Sequence, residues 1–133
     1  LMLLANIASL RVKRATSFCA KRKTSYRYRQ CFIENIEFYT ADASDFMVEM
    51  AAAGEKADVV IMDPPRAGST EKFMDSVVTL APERVVYVSC NPETQARDLR
   101  SLVKGGYRVT KIQPVDMFPH TKHIECVCSL EKK

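Results

Sequence analysis

The chain has 133 residues, of which 47% are hydrophobic and 27% charged, with a formal net charge of +4. That is the size and balance of one ordinary soluble globular domain with enough apolar content to bury a core. It excludes a fibrous or disordered chain, and the apolar opening LMLLANIASL is interrupted by Arg11 before it reaches the length of a bilayer span.

The opening also lacks the basic flank and small-residue cleavage site of a secretory signal. Residues 1–33 hold eight Lys and Arg and no acid, whereas residues 34–133 hold the other twelve bases and all sixteen acids, a net of −4. The basic arm reads equally as an electrostatic footprint for nucleic acid and as a solvated segment, because SFCAKRKTSYRYRQC has no amphipathic period. From Glu34 onward strands and helices alternate. IEFYTA (36–41) is expected as a strand, followed by a helix capped by Ser44 and stopped by Gly54. ADVVIM (57–62) is a continuous apolar run, the pattern of a fully buried parallel strand. DPPRAGS is a loop, a helix runs from about Thr70 to Leu80, and RVVYVS is the next strand. A helix from about Pro92 reaches Lys104 and stops at Gly105–Gly106, and YRVTKIQPVD and HIECVCSLE close the chain as two strands around MFPHTK. The rhythm predicts an α/β layered domain, its sheet mostly parallel with a final antiparallel strand.

Two expected strands end on reactive groups. Asp63 follows VVIM, and Cys90 follows VYVS. A lone cysteine at a strand end is more often a small core residue than a nucleophile. Neighbouring parallel strands, however, deliver their carboxyl ends to one edge, where ligands of open α/β sheets bind, so an acid and a thiol would share a crevice. The five cysteines, an odd number at irregular spacing, argue against a disulfide framework and for a reducing cytoplasm. Cys126 and Cys128 fall on one face of a strand, and with no second pair at ligand spacing no metal site is expected.

DPPRAG (63–68), VVYVSCNPET (85–94) and VDMFPHTKHIE (115–125) together resemble, in order and spacing, the RNA uracil-5-methyltransferase family, which makes 5-methyluridine in tRNA and rRNA. The likeness covers about Glu34 to Leu130 and is nearest to the bacterial rRNA-type members. It implies a Rossmann-like S-adenosylmethionine-dependent methyltransferase fold, here incomplete at the N-terminus, with S-adenosyl-L-methionine as cofactor. It implies RNA as partner, rRNA rather than tRNA, a monomer, and no membrane or DNA partner. By the resemblance Cys90 is the nucleophile that adds to uracil C6, and Glu125 is the general base that removes the C5 proton. A thiolate is the attacking species, and a helix N-terminus beside it favours that form. Asp63 lies beside the cofactor and the extruded base, and Asp42 matches the position whose side chain meets the adenine. Arg66, Phe118, His120 and His123 shape an RNA-facing pocket, or else serve packing and loop hydrogen bonds. A uracil stacked in RNA has to be flipped out to reach such a crevice. An amino-methyltransferase acting on adenine or cytosine is the rival enzyme, but those resemble DPP followed by an aromatic residue, where this chain has Arg66.

The first 33 residues depart from the family. A cofactor site of this kind takes a glycine-rich turn after the first strand and an acid ending the second. The first glycine here is Gly54 and the first acid Glu34. The family's sheet carries two strands between those at 36–41 and 57–62, and residues 1–12 are expected to supply one substitute at most, leaving a gap. Two regions follow: 1–33, an atypical basic segment that is frame-shifted or mis-joined, and 34–133, the carboxy-terminal part of a catalytic domain. The alternative to a working enzyme is a truncated, inactive RNA-binding fragment of one.

Overall fold

A computed structural model describes the backbone of Met2–Asn6, Arg11–Ala15, Lys21–Arg22, Cys31–Phe32 and Ile36–Tyr39, and both backbone and side chains of residues 41–133. Those first five segments are strands β1 to β5. They are followed by α1 (Ala43–Ala52), β6 (Val59–Asp63), α2 (Glu71–Leu80), β7 (Arg84–Ser89), α3 (Pro92–Lys104), β8 (Tyr107–Val115) and β9 (Glu125–Lys132). β3 and β4 form a separate antiparallel pair. The other seven make one sheet in the order β5-β2-β1-β6-β7-β9-β8.

β1, β6 and β7 are parallel neighbours, while β2 opposes both β1 and β5, and β9 opposes both β7 and β8. β5, β1, β6, β7 and β8 therefore point one way, but only the β1–β6 and β6–β7 pairings are parallel and the other four are antiparallel. The sheet is mixed, not mostly parallel as the sequence rhythm predicts, because β2 and β9 insert as opposed strands. The last strand of the chain is antiparallel, as expected, and inserts between β7 and β8 rather than adding at the edge.

The expected gap in the sheet is absent. β1 and β2 fill the place between β5 and β6, with Met2–Asn6 paired in register to Val59–Asp63. An unpaired edge in mid-sheet would leave a row of backbone donors and acceptors unsatisfied, and the apolar stretch MLLA meets it. Only residues 7–10 link β1 to β2, too few for the crossover that a parallel neighbour needs, so the pair is antiparallel.

Helix ends follow local chemistry. Asp42, not Ser44, caps α1: its carboxylate accepts from the Ser44 and Asp45 amides at 2.8 and 3.1 Å. Ser44 lies inside the helix, nearly buried, with its hydroxyl 3.1 Å from that of Thr70. Thr70 caps α2 through the Phe73 amide, and Asn91 caps α3 through the Glu93 amide, each such cap stabilising by about 1 kcal/mol. α3 stops where expected, at Gly105, where a Cβ would run into the Val78 side chain.

α1 packs on α2, and α2 on α3. Beneath them Met47, Phe73, Val77, Val60, Tyr87 and Leu102 are fully buried. Val59, Ile61, Val86 and Val88, on the other face of β6 and β7, are half-buried. The apolar run of β6 is therefore buried on one face, not on both as its sequence predicts. No helix among the described residues is long and apolar enough to cross a membrane.

Candidate active site

β6 and β7 run side by side and release their chains at the same edge of the sheet. Asp63 is the last residue of β6, one position further into the strand than its sequence pattern indicates. Its side chain is exposed, yet partial burial raises its carboxyl above the ordinary carboxylate range. Asp42, beyond β5, lies at the same edge, three strands away from β6.

Cys90 sits between Ser89, the buried end of β7, and Asn91, the cap of α3. Its backbone is fixed on both sides. The Ser89 hydroxyl donates to the Asn91 carbonyl at 3.1 Å and accepts from the Asn91 amide at 3.0 Å. The Thr94 hydroxyl reaches the same carbonyl at 3.1 Å. Ser, Asn and Thr in SCNPET are thus local hydrogen-bonding groups that hold the turn, with Pro92 opening the helix. The thiol is free and half-exposed.

The loop after β6 is tied to α3. Asn91 Nδ2 and Thr94 Oγ1 donate to the Arg66 carbonyl at 3.2 and 3.1 Å. A turn closes from the Gly68 amide to the Pro65 carbonyl at 2.8 Å, with Gly68 left-handed at φ +84°. Arg66 is thereby carried over the end of β7.

β9 brings in the third group. Ser89 pairs with Cys126 in the antiparallel β7–β9 register, so Cys90 and Glu125 sit one step beyond, at facing strand ends. Arg66, Cys90, Phe118, His123 and Glu125 line one cavity of about 270 Å³. Arg66 Nη1 lies 3.5 Å from His123 Nδ1, a long contact in which the guanidinium can only donate. Phe118 is 50% exposed. It is held by its own loop: Asp116 accepts from its amide, and its carbonyl accepts from the Thr121 amide and hydroxyl. His120, at φ +66°, follows Pro119 in that turn and does not line the cavity. Asp63 and Asp42 do not line it either. Among the described residues no group of three or more His, Cys, Asp or Glu is placed to hold a metal ion.

Sequence reading missed Asp98. It is buried on α3 and accepts from the Tyr87 hydroxyl and the Ser69 amide, both at 2.7 Å, and from Arg97 at 2.8 and 2.9 Å. Arg97 also donates to the Ala67 carbonyl at 3.0 Å. The available signal for Asp98 was its spacing from Leu102 and Gln95, the other buried positions of α3.

The model of the tRNA (uracil-5-)-methyltransferase family matches residues 23–133. The chain belongs to this family. The match starts within the basic arm, upstream of Glu34. An uncharacterized RNA methyltransferase of Halalkalibacterium halodurans is 52% identical over 99 residues, 74% of this chain and 22% of that protein. The 23S rRNA (uracil(1939)-C(5))-methyltransferase RlmD of Aeromonas salmonicida is 52% identical over 100 residues, 75% of this chain and 23% of its own length. Among solved structures, the Pyrococcus abyssi tRNA (uracil-54, C5)-methyltransferase in complex with S-adenosyl-L-homocysteine is similar at 38% identity and a TM-score of 0.52, over 67% of this chain and 27% of that one. The chain thus spans about a fifth of the length of the curated relatives it matches, and its fold is that of an S-adenosylmethionine-dependent methyltransferase.

Proposed function

We infer that the protein to which these residues belong methylates C5 of a uracil in RNA, through a covalent bond between Cys90 and C6 of the base. The observation that carries this reading is the single cavity holding Cys90, Glu125 and Arg66 at the end of β7, the edge where this fold binds its ligands. Uracil C5 is a weak nucleophile. Addition of the Cys90 sulfur to C6 pushes the C5–C6 electron pair toward C5 and O4, and C5 then forms the new carbon–carbon bond. S-adenosyl-L-methionine would supply the methyl group as an electrophile, its sulfonium–methyl bond breaking as the electron pair returns to sulfur and the thioether leaves. Glu125 takes the proton from C5, the electrons of that C–H bond rebuild the C5–C6 double bond, and the sulfur leaves C6.

Other residues bind and orient. Phe118 offers a stacking surface to a base turned out of the RNA, and Arg66 and His123 supply donors to its edge. Asp63 and Asp42, at the strand ends of the same sheet edge, face the donor side. The fit to the donor is partial. The four residues that join β1 to β2 include no glycine, the residue whose backbone can approach a cofactor most closely.

Ribosomal RNA is the proposed substrate over tRNA, supported by the 52% identity with a 23S rRNA enzyme against 38% with a tRNA enzyme. The setting proposed is a cytoplasmic monomer. The partial donor cradle favours a second reading for these 133 residues alone, that of an inactive RNA-binding piece whose basic arm contacts phosphates. The test is methylation of uracil-containing RNA with radiolabelled donor. It is run on this chain and on a chimaera in which residues 34–133 replace the matching part of the full-length Aeromonas enzyme. Label at C5 of uridine from the chimaera supports the proposal, and label on adenine or cytosine would contradict it.

A further inference from the structure

The 63–69 loop touches α3 along one line of side chains. Asn91 and Thr94 hold the Arg66 carbonyl, Arg97 holds the Ala67 carbonyl, and Asp98 holds the Ser69 amide. Asp98 is the anchor of that line. One carboxyl oxygen takes the Tyr87 hydroxyl and the Ser69 amide, while the other takes Nε and Nη2 of Arg97. Tyr87 is fully buried in β7, three residues before Cys90. The same carboxyl therefore joins the strand that carries the thiol to the loop that carries Arg66. Gly68 lets the loop come this close: a Cβ there would stand 2.5 Å from Arg97 Nη2 and 2.7 Å from the Asp98 carboxyl.

We propose that Asp98 is a positioning residue, which through Arg97 and the Ser69 amide sets the loop so that the Arg66 guanidinium shares the cavity of Cys90. Asp98 does not line that cavity and acts only through Arg66. The inference rests on Cys90 and Arg66 being groups of the proposed reaction. Its test needs neither RNA nor methyl donor, so either idea can fail without the other.

The readout is the ratio of Cys90 alkylation rates with iodoacetate and iodoacetamide, measured on the whole chain by mass spectrometry. A guanidinium beside the thiol attracts the anionic reagent, and the ratio cancels general access and thiol reactivity. Asp98→Asn keeps the size of the side chain but sets an amide against Arg97. It is expected to lower the ratio about threefold to fivefold, the scale of one near charge in a wet site. Arg66→Met should lower it equally, and the double variant no further, as two residues acting in series require. Tyr87→Phe, which spares the loop contacts, should leave the ratio unchanged. Buried Cys126 and Cys128 should stay unlabelled in every variant. An unchanged ratio in Asp98→Asn, an equal fall in Tyr87→Phe, or a fall accompanied by labelling of Cys126 and Cys128 would overturn the proposal. Should Asp98→Asn not fold, Arg97→Met decides: a lowered ratio supports the proposal and an unchanged one overturns it.

Discussion

Ser89 of β7 is paired with Cys126 of β9, and that register sets Cys90 and Glu125 opposite each other where the two strands open. A thiol and a carboxylate from distant parts of the chain thus reach one cavity through backbone hydrogen bonding alone. Their roles in the proposed reaction are separate in time. Addition and methyl transfer need the sulfur, and only the later proton removal needs the carboxylate. In the Aeromonas chimaera, Glu125→Gln should therefore accumulate a covalent RNA–protein complex on ordinary uracil-containing RNA, visible as a shifted band on denaturing gels. Turnover at the unsubstituted rate would remove Glu125 from the mechanism.

Gly68 lies in the 63–69 loop against the Arg97 and Asp98 side chains of α3. It is left-handed, and a Cβ would press on Arg97 and Asp98. Gly68→Ala should destabilise the chain by about 2 kcal/mol or more, from strain and from displaced partners of a buried carboxyl. Urea unfolding followed by circular dichroism measures it, and a loss below about 0.5 kcal/mol would mean that the loop moves aside freely.

Burial pushes the Tyr107 hydroxyl up to about 12, where it donates to the Pro82 carbonyl at 2.8 Å. Burial, with the neighbouring Cys126, also pushes the Cys128 thiol up to about 12. Both pKa values are raised on folding, so their contribution to stability is full below the unfolded values near 9 and 10 and is lost as pH rises toward 12. The melting temperature should fall steadily between about pH 9 and pH 12. Tyr107→Phe should melt lower at neutral pH, having lost one hydrogen bond, but should decline less steeply with pH. Parallel melting curves of the two proteins would contradict the assignment.

Most of the chain beyond Ala41 was legible because its signals are local. Thr70, Asn91-Pro92 and Gly105–Gly106 mark helix ends through their own backbone chemistry, and α2, β7 and α3 fall where those residues place them. Asp42 was read for its strand-end position and proved also to be the cap of α1, a role for which Ser44 was the nearer sequence match. The β1–β2 pair was not legible. Its partners are β5 and β6, far along the chain, and no period within residues 1–33 reports them. Asp98 was hidden for a similar reason, since nothing in ARDLR reveals that a tyrosine hydroxyl and a loop amide wait on its buried side.

The β1–β2 connection bears on the donor. Four residues without glycine join these strands where a cofactor-binding turn and crossover would stand. Methyl transfer depends on holding donor and acceptor in line, with effective molarities of about 10⁵ M or more at stake. Calorimetric titration of the 133-residue chain with S-adenosyl-L-methionine should therefore show no micromolar binding, and its methylation of RNA should be weak or nil. Micromolar binding with turnover would show that the amino-terminal strands build a complete donor site.

The most direct test of the account is covalent trapping on 5-fluorouracil-containing RNA by the Aeromonas chimaera. Fluorine at C5 cannot leave as a proton does, so the thiol adduct persists after methyl transfer. The expected result is a stable adduct that maps to Cys90, vanishes in Cys90→Ala, and survives substitution of Cys126 or Cys128. An adduct that persists in Cys90→Ala, or that maps to another cysteine, would contradict it.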